Sequence, residues 1–143
     1  MPANTSPIFS VAGAVEFTSV MNSANAGHVS GNTSYLVFTG GTNGSYVQKI
    51  RFRHLPNTVT ANGNATVARI WINNGLDRTN AANSTLFDEI TIAANTTSSV
   101  AASINYELPL NFAIPPNYAI YVTLGTAPTA GTFIQSTVIG GDY

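Results

Sequence analysis

Cysteine is absent from the chain, and charged residues are scarce: Asp, Glu, Lys and Arg together make up 8% of its 143 residues. Without cysteine there is no disulfide framework, no thiolate nucleophile and no cysteine-ligated metal site. Five basic and six acidic residues give a formal net charge of −1. This balance excludes a nucleic-acid binder whose affinity comes from many lysine and arginine contacts with phosphates.

Long apolar runs are absent too. No run approaches the roughly 20 residues of a membrane-spanning helix, and the first residues show no secretory signal. We therefore expect a protein made in a cytoplasm, with no membrane partner. Its polar residues are mostly neutral, with 16 Asn, 18 Thr and 12 Ser. Such side chains form short-range hydrogen bonds and little long-range field, which suits close packing against copies of the chain or a large partner.

Apolar residues recur with a period of two along most of the chain, the pattern of half-buried strands rather than of helices. Segments rich in Gly and Asn separate these runs and supply the positive φ that tight turns need. Eight strands are predicted: Val11–Val20, Tyr35–Thr39, Gln48–Arg53, Val67–Ile72, Leu86–Ile92, Val100–Leu108, Tyr118–Leu124 and Phe133–Ile139. About eight strands joined by turns predict an all-β fold, an antiparallel β-sandwich.

The chain reads as one domain preceded by an arm. Residues 1–7 contain Pro2 and Pro7 and are predicted to form a short extended N-terminal arm, since proline lacks the N–H that a central strand needs. Residues 8–143 are predicted to form a single β-sandwich domain, long enough to bury its own core. The core is predicted to contain Ile50, Phe52, Ile70, Ile72, Ile90, Ile92, Ile104, Tyr106, Ile120, Val122 and Phe133.

The titratable side chains form no recognisable catalytic or metal-binding motif. His28 and His54 have no second histidine two to four residues away, so both are interpreted as structural. Asp88 and Glu89 are neighbours on a predicted strand and point to opposite faces, unlike the facing acids of a glycosidase. The segment 74–77 suits an Asx turn better than a calcium loop. We therefore expect a protein that is not an enzyme, with no catalytic residue, metal site or cofactor.

Three of the five basic residues, Lys49, Arg51 and Arg53, occupy alternate positions of one predicted strand. This spacing places their side chains in a row on one face, about 6.5–7 Å apart. One interpretation is a solvated face whose charges pair across strands with Glu89 or Glu107. The other is a docking site for an acidic surface of a partner protein.

The single tryptophan, Trp71, lies in a strand that is apolar on both faces. If Ala68, Ile70 and Ile72 face the core, Val67 and Trp71 face the other way. A loop or the N-terminal arm covers Trp71 in one interpretation. In another, Val67 and Trp71 form an interface between copies of the chain, and in a third Trp71 is a sugar-stacking platform.

The C-terminal part of the chain carries an ordered set of motifs. They are the strand Val67–Ile72 followed by Asn73-Asn74-Gly75, the segment Thr85–Ile90, the alternating strand Val100–Leu108, the turn region Leu110–Tyr118 and the terminal Val138-Ile139-Gly140-Gly141-Asp142-Tyr143. Over roughly residues 45–143 this order resembles a family of small tailed-bacteriophage virion proteins. Pro116-Asn117 stands where the family has a small residue and Gly, and Asn also accepts turn geometry. The resemblance implies a jelly-roll β-sandwich attached to the particle as a capsid decoration (cement) protein, and it carries over no catalytic residue.

Residues and resemblance together predict a non-enzymatic virion structural protein on the capsid surface, made in the bacterial host cytoplasm. It would bind the major capsid protein through Lys49, Arg51 and Arg53 and stabilise the shell. Copies would associate through Val67 and Trp71, as a trimer because decoration proteins often occupy local three-fold positions of a shell. The alternative is a phage tail or fibre component that binds a carbohydrate or host receptor, and a β-sandwich hydrolase is a more distant one.

Overall fold

The computed structural model describes residues 10–25, 33–57 and 61–143. Eight strands are found there: β1 Ala12–Met21, β2 Tyr35–Thr39, β3 Ser45–Pro56, β4 Thr66–Asn73, β5 Ser84–Ile92, β6 Asn105–Ile114, β7 Ala119–Leu124 and β8 Thr132–Asp142. One 3₁₀ turn, Ala81–Asn83, precedes β5. The arm predicted for residues 1–7 and His28 both lie outside the described residues. Within the described part of the chain, no helix is long and apolar enough to span a bilayer.

The strands form two four-stranded antiparallel sheets. The first sheet has the order β1-β8-β3-β6 and the second has the order β2-β7-β4-β5. The pairs are nested along the chain, because β1 pairs with β8, β2 with β7, β3 with β6 and β4 with β5. The predicted antiparallel sandwich of about eight strands is therefore confirmed. Its nested order is that of a jelly roll, in which the second half of the chain returns along the first.

Strand β3 shows how the sequence pattern builds the core. Ile50, Phe52 and His54 point between the two sheets and are almost completely buried, whereas Lys49, Arg51 and Arg53 point outward. This alternation follows from the two-residue period of a strand. Most of the other buried apolar side chains join Ile50 and Phe52 in one cluster between the sheets.

The predicted core is right at six positions and needs correction elsewhere. Ile50, Phe52, Ile70, Ile92, Ile120 and Val122 are buried. Ile72, Ile90, Tyr106 and Phe133 are half-buried, and of these Ile90 and Tyr106 pack against the core cluster.

Two residues that were predicted to lie in the core, Ile104 and Phe133, lie elsewhere in the fold. Ile104 is 58% exposed because β6 begins only at Asn105, so Ile104 belongs to the preceding loop. Phe133 lies opposite Leu55 on the outer face of the first sheet, and it is the neighbouring Ile134, opposite His54, that enters the core.

Strand β1 presents its larger apolar side chains to solvent. Val15 and Phe17 are 64% and 66% exposed, whereas Ala14 is buried and Glu16 is half-buried on the inner side. Burial raises the pKa of the Glu16 carboxyl, although the backbone N–H of Thr39 donates a hydrogen bond to it at 3.0 Å. In β1, therefore, the large apolar side chains face solvent and a carboxylate faces inward, which is the opposite of the usual arrangement.

The C-terminal motif holds β8 between its two neighbours. A Cβ atom at Gly140 would lie 2.2 Å from the carbonyl oxygen of Tyr46, so only glycine permits this approach of β8 to β3. The Asp142 carboxylate accepts a hydrogen bond from the Ser45 hydroxyl at 2.5 Å. Gly140 and Asp142 therefore have structural roles in the closure of the first sheet.

The contrast between Ile50 and Ile104 gives a stability prediction. Ile50→Ala is expected to lower the free energy of unfolding by about 2–5 kcal/mol, since it opens a cavity in the closed core. The matched Ile104→Ala change should lower it by less than about 0.5 kcal/mol, because that side chain is exposed. Urea unfolding followed by far-UV circular dichroism measures both, and equal losses would contradict this assignment of the core.

Candidate functional site

The predicted basic row lies on the outer face of the first sheet. Lys49, Arg51 and Arg53 share the outward side of β3, which is a central strand of that sheet. Strand pairing aligns Arg51 with Thr137 of β8 on one side and with Glu107 of β6 on the other. The structure thus brings the three predicted cations together on one sheet face, as the two-residue spacing requires.

Glu107 pairs with two of the three cations. Its carboxylate accepts hydrogen bonds from Lys49 Nζ at 2.9 Å and from Arg51 Nε and a terminal guanidinium nitrogen at 2.8 and 2.6 Å. These bonds lower the pKa of Glu107, with Lys49 as the larger cause and Arg51 next. The cross-strand pairing with Glu107 is confirmed for Lys49 and Arg51, whereas Glu89 pairs with Arg69 on the second sheet at 2.7 Å.

Arg53 lies in a different environment at the end of the row. A terminal guanidinium nitrogen donates to the Ser103 hydroxyl at 3.2 Å, while Nε is buried without a hydrogen-bond partner in the described structure. Its side chain helps line a cavity of about 240 Å³ between the end of β3 and the loop that precedes β6. A buried donor without a partner costs about 1–3 kcal/mol, so this position calls for an explanation.

Sequence reasoning missed the exposed apolar side chains that share this face. Phe17 lies opposite Thr137, in the same cross-strand row as Arg51, and Val15 lies opposite Ile139, in the row of Lys49. The signal was present in the alternation of β1, but an apolar side chain on a strand is ordinarily assigned to the core. We call Val15, Phe17, Lys49, Arg51 and Arg53 together the docking face.

Trp71 is buried in the single chain. It lies opposite Tyr121 on β7, on the face of β4 away from the main core cluster, as predicted. However, it is only 6% exposed, and its indole N–H donates to the Thr123 hydroxyl at 2.9 Å. The expectation of an uncovered Trp71–Val67 patch is therefore wrong. Val67 is half-buried, so self-association stays a prediction that can no longer use Trp71 as its anchor.

His54 is a buried residue of the sandwich, as its interpretation as structural predicts. It is 1% exposed, and its Nε2 lies 3.1 Å from the Thr132 hydroxyl. Gly63 packs directly on the imidazole, since a Cβ at Gly63 would lie 1.9 Å from the ring carbon Cε1. Gly63 is held there by two backbone hydrogen bonds with Asn95. Burial lowers the pKa of His54 below its ordinary value.

Within residues 10–25, 33–57 and 61–143, no group of three or more His, Cys, Asp or Glu side chains could hold a metal ion.

The remaining polar motifs form local hydrogen bonds. The turn after β4 contains the predicted Asx geometry, because the Asn74 side chain accepts from the Leu76 N–H at 3.1 Å and that of Asp77 accepts from the Thr79 N–H at 2.9 Å. These bonds to Thr79 also lower the pKa of Asp77.

Comparison of the chain with known protein families and with curated proteins finds no match to either.

The buried imidazole predicts a specific pH dependence of stability. Because the pKa of His54 is lower in the folded than in the unfolded chain, the unfolded chain takes up a proton first as the pH falls through 6.5. The free energy of unfolding contributed by His54 is therefore complete above about pH 7 and decreases below it. Urea unfolding between about pH 7.5 and pH 5 measures this slope.

A His54→Gln variant should lose this part of the slope, whereas His28→Gln should keep it. The variants are needed because Glu16 changes the free energy of unfolding with pH in the opposite direction to His54. Its raised pKa makes stability fall as the pH rises through the interval above 4.5. An unchanged slope in His54→Gln would show that His54 is not the group that titrates.

The hydrogen bond between Trp71 and Thr123 predicts a measurable coupling. Trp71→Phe keeps an aromatic ring but removes the indole donor, and Thr123→Val removes the acceptor. In a double-mutant cycle of unfolding free energies, the two changes should couple by about 0.5–1.5 kcal/mol. Strictly additive losses would contradict the bond, and sedimentation of Trp71→Phe checks that any change in stability is not a change in oligomeric state.

Proposed function

We propose that the chain is a non-enzymatic structural protein of a bacteriophage virion, a capsid decoration protein that binds the major capsid protein and stabilises the shell. The observation that carries the proposal is the docking face, which combines a row of cations with exposed apolar side chains on the outer face of the first sheet. The jelly-roll order of the strands agrees with the resemblance stated above. A fold alone does not specify a function, so the argument depends on this face.

The charge of the docking face supports an acidic partner. Lys49, Arg51 and Arg53 share the outer face of the first sheet with one carboxylate, that of Glu107. The face therefore has a net positive charge of two, although the whole chain has a net charge of −1. Charge complementarity of this kind orients a partner and raises the association rate.

The apolar part of the docking face supports a protein partner in particular. Val15 and Phe17 are mostly exposed, two strands away from the basic row. Because neighbouring strands are about 4.8 Å apart, this distance is about 10 Å. Protein interfaces typically combine apolar or aromatic side chains with polar ones, and the docking face has apolar side chains on the edge strand β1 and charged ones on the inner strand β3.

The proposal places the protein on the capsid surface, after synthesis in the host cytoplasm. The proposal also includes the association of copies of the chain as a trimer, which is based on the resemblance to phage decoration proteins. The alternative function in a tail or fibre, with carbohydrate binding, gains no support from Trp71, since the buried indole offers no platform for a sugar.

The direct test is addition of the purified protein to undecorated shells, with its position and copy number read from electron cryomicroscopy. Many copies at equivalent positions of the shell are expected, with the first sheet facing the capsid. Absence from the shell, together with a few copies at the tail, would overturn the proposal in favour of the tail component.

Two matched variants test the docking face itself. Arg51→Glu and Arg69→Glu each reverse one arginine that is paired with a glutamate, but on opposite sheets. Arg51→Glu should weaken binding to shells at least tenfold at low salt and less at high salt, because screening weakens charge–charge attraction. Arg69→Glu should bind nearly as the unaltered protein does. Equal effects of the two changes would contradict docking through the first sheet.

A further inference from the structure

Arg53 is distinguished from the other four cations by its partners. Lys49 and Arg51 bind Glu107, and Arg69 binds Glu89. Arg78 donates to the backbone carbonyl of Ser34 at 2.8 Å and lies over the ring of Tyr121. In the described structure Arg53 has only the Ser103 hydroxyl, which is a neutral acceptor.

The chain contains no further carboxylate side chain that could serve Arg53. All six acidic residues lie within the described part of the chain, and none of them forms an ion pair with Arg53 there. Apart from Glu89 and Glu107, the others accept hydrogen bonds elsewhere: Glu16 from Thr39, Asp77 from Thr79, Asp88 from the backbone N–H of Glu89, and Asp142 from Ser45. An anion at Arg53 must therefore come from another molecule.

The cavity beside Arg53 is lined by residues that have hydrogen-bond donors. Among the described residues that line it, Arg53 is the only charged one. The Ser103 hydroxyl already accepts from Arg53, and the Ser98 hydroxyl accepts from the N–H groups of Val100 and Ala101, each at 3.1 Å. A hydroxyl that accepts in this way still has its own proton to donate. Arg53 and two serines that each have a hydroxyl proton to donate thus line the same cavity.

We propose that this cavity, the Arg53 cavity, binds the carboxylate of an aspartate or glutamate side chain of the docking partner. The inference builds on the proposed docking function and names the chemical group that the partner inserts. A carboxylate has one negative charge and two oxygens in a plane, which match a single guanidinium. A volume of about 240 Å³ is smaller than the 300–1,000 Å³ of typical ligand pockets, and it suits one side chain.

The position of the cavity fits this role. Arg53 is the last member of the basic row, so the Arg53 cavity lies at one end of the docking face. A partner that contacts Arg51 with its surface can insert an acidic side chain beside Arg53. Arg51 and Lys49 would then contribute long-range attraction, whereas Arg53 would contribute a specific, desolvated contact.

The test uses the full chain and a blocked tripeptide with one central glutamate, so it needs no viral particle. Titration is followed by NMR of the arginine Nε–H resonances. A saturable shift of the Arg53 resonance is expected, with a smaller or no shift for the otherwise identical glutamine peptide. Inorganic phosphate is a third arm. Equal responses to the glutamate and glutamine peptides, or a response confined to Arg51, would overturn the inference, as would tighter binding of phosphate than of the glutamate peptide.

Matched variants complete the experiment. Arg53→Gln should lower the affinity for the glutamate peptide about tenfold or more, whereas Arg69→Gln on the second sheet should change it less than about twofold. If Arg53→Gln lowers the melting temperature too far, Ser103→Ala and Ser98→Ala keep the arginine and should each weaken binding several-fold. Peptide binding by a chain that fails to bind shells would reject the proposed function alone. Shell binding without peptide binding would reject the Arg53 cavity alone.

Discussion

The core and the basic row of Lys49, Arg51 and Arg53 depend on one constraint, the pairing of β3 between β6 and β8. A strand with hydrogen-bonded neighbours on both sides cannot rotate about its axis, so its alternation assigns Ile50 and Phe52 to the core and Arg51 and Arg53 to the opposite surface. A shift of one residue in this register would bury the charges and expose the apolar side chains. The energy that stabilises the core therefore also holds the three cations in a row.

The sequence allowed prediction of the fold class and of the basic row, because both depend on alternation within single strands. Ile50 and Phe52 lie in a run with one clearly apolar face, and both positions are buried. Strand β8 is different, since each of its faces contains large apolar side chains, Phe133 and Ile139 on one and Ile134 and Val138 on the other. Only the pairing with β3 determines which face of β8 is buried, and such long-range pairing cannot be derived from local periodicity.

Features that need two distant segments were not predictable from the residues alone. The burial of Trp71 depends on the neighbouring strand that supplies Thr123, 52 positions away. The exposure of Val15 and Phe17 follows from the pairing of β1 with β8, at opposite ends of the chain. Similarly, the Arg53 cavity forms where a loop before β6 approaches the end of β3. In each case the sequence contained suitable residue types, but only the three-dimensional arrangement gave them their environment.

Because the chain has few charged residues, each of them contributes a larger share of the electrostatic field at the surface. In a typical globular protein, about a quarter of whose residues are charged, an unpaired arginine is screened and compensated by many neighbours. Here Asp, Glu, Lys and Arg make up 8% of the chain, and three of the five cations share one sheet face. Two of them are held by Glu107, which fixes their side chains in an ordered geometry. The third has its nearest polar partner in a serine hydroxyl beside a cavity. If an acidic partner binds this face as proposed, it meets two cations that are paired with Glu107 and one, Arg53, that no carboxylate of the described residues neutralises.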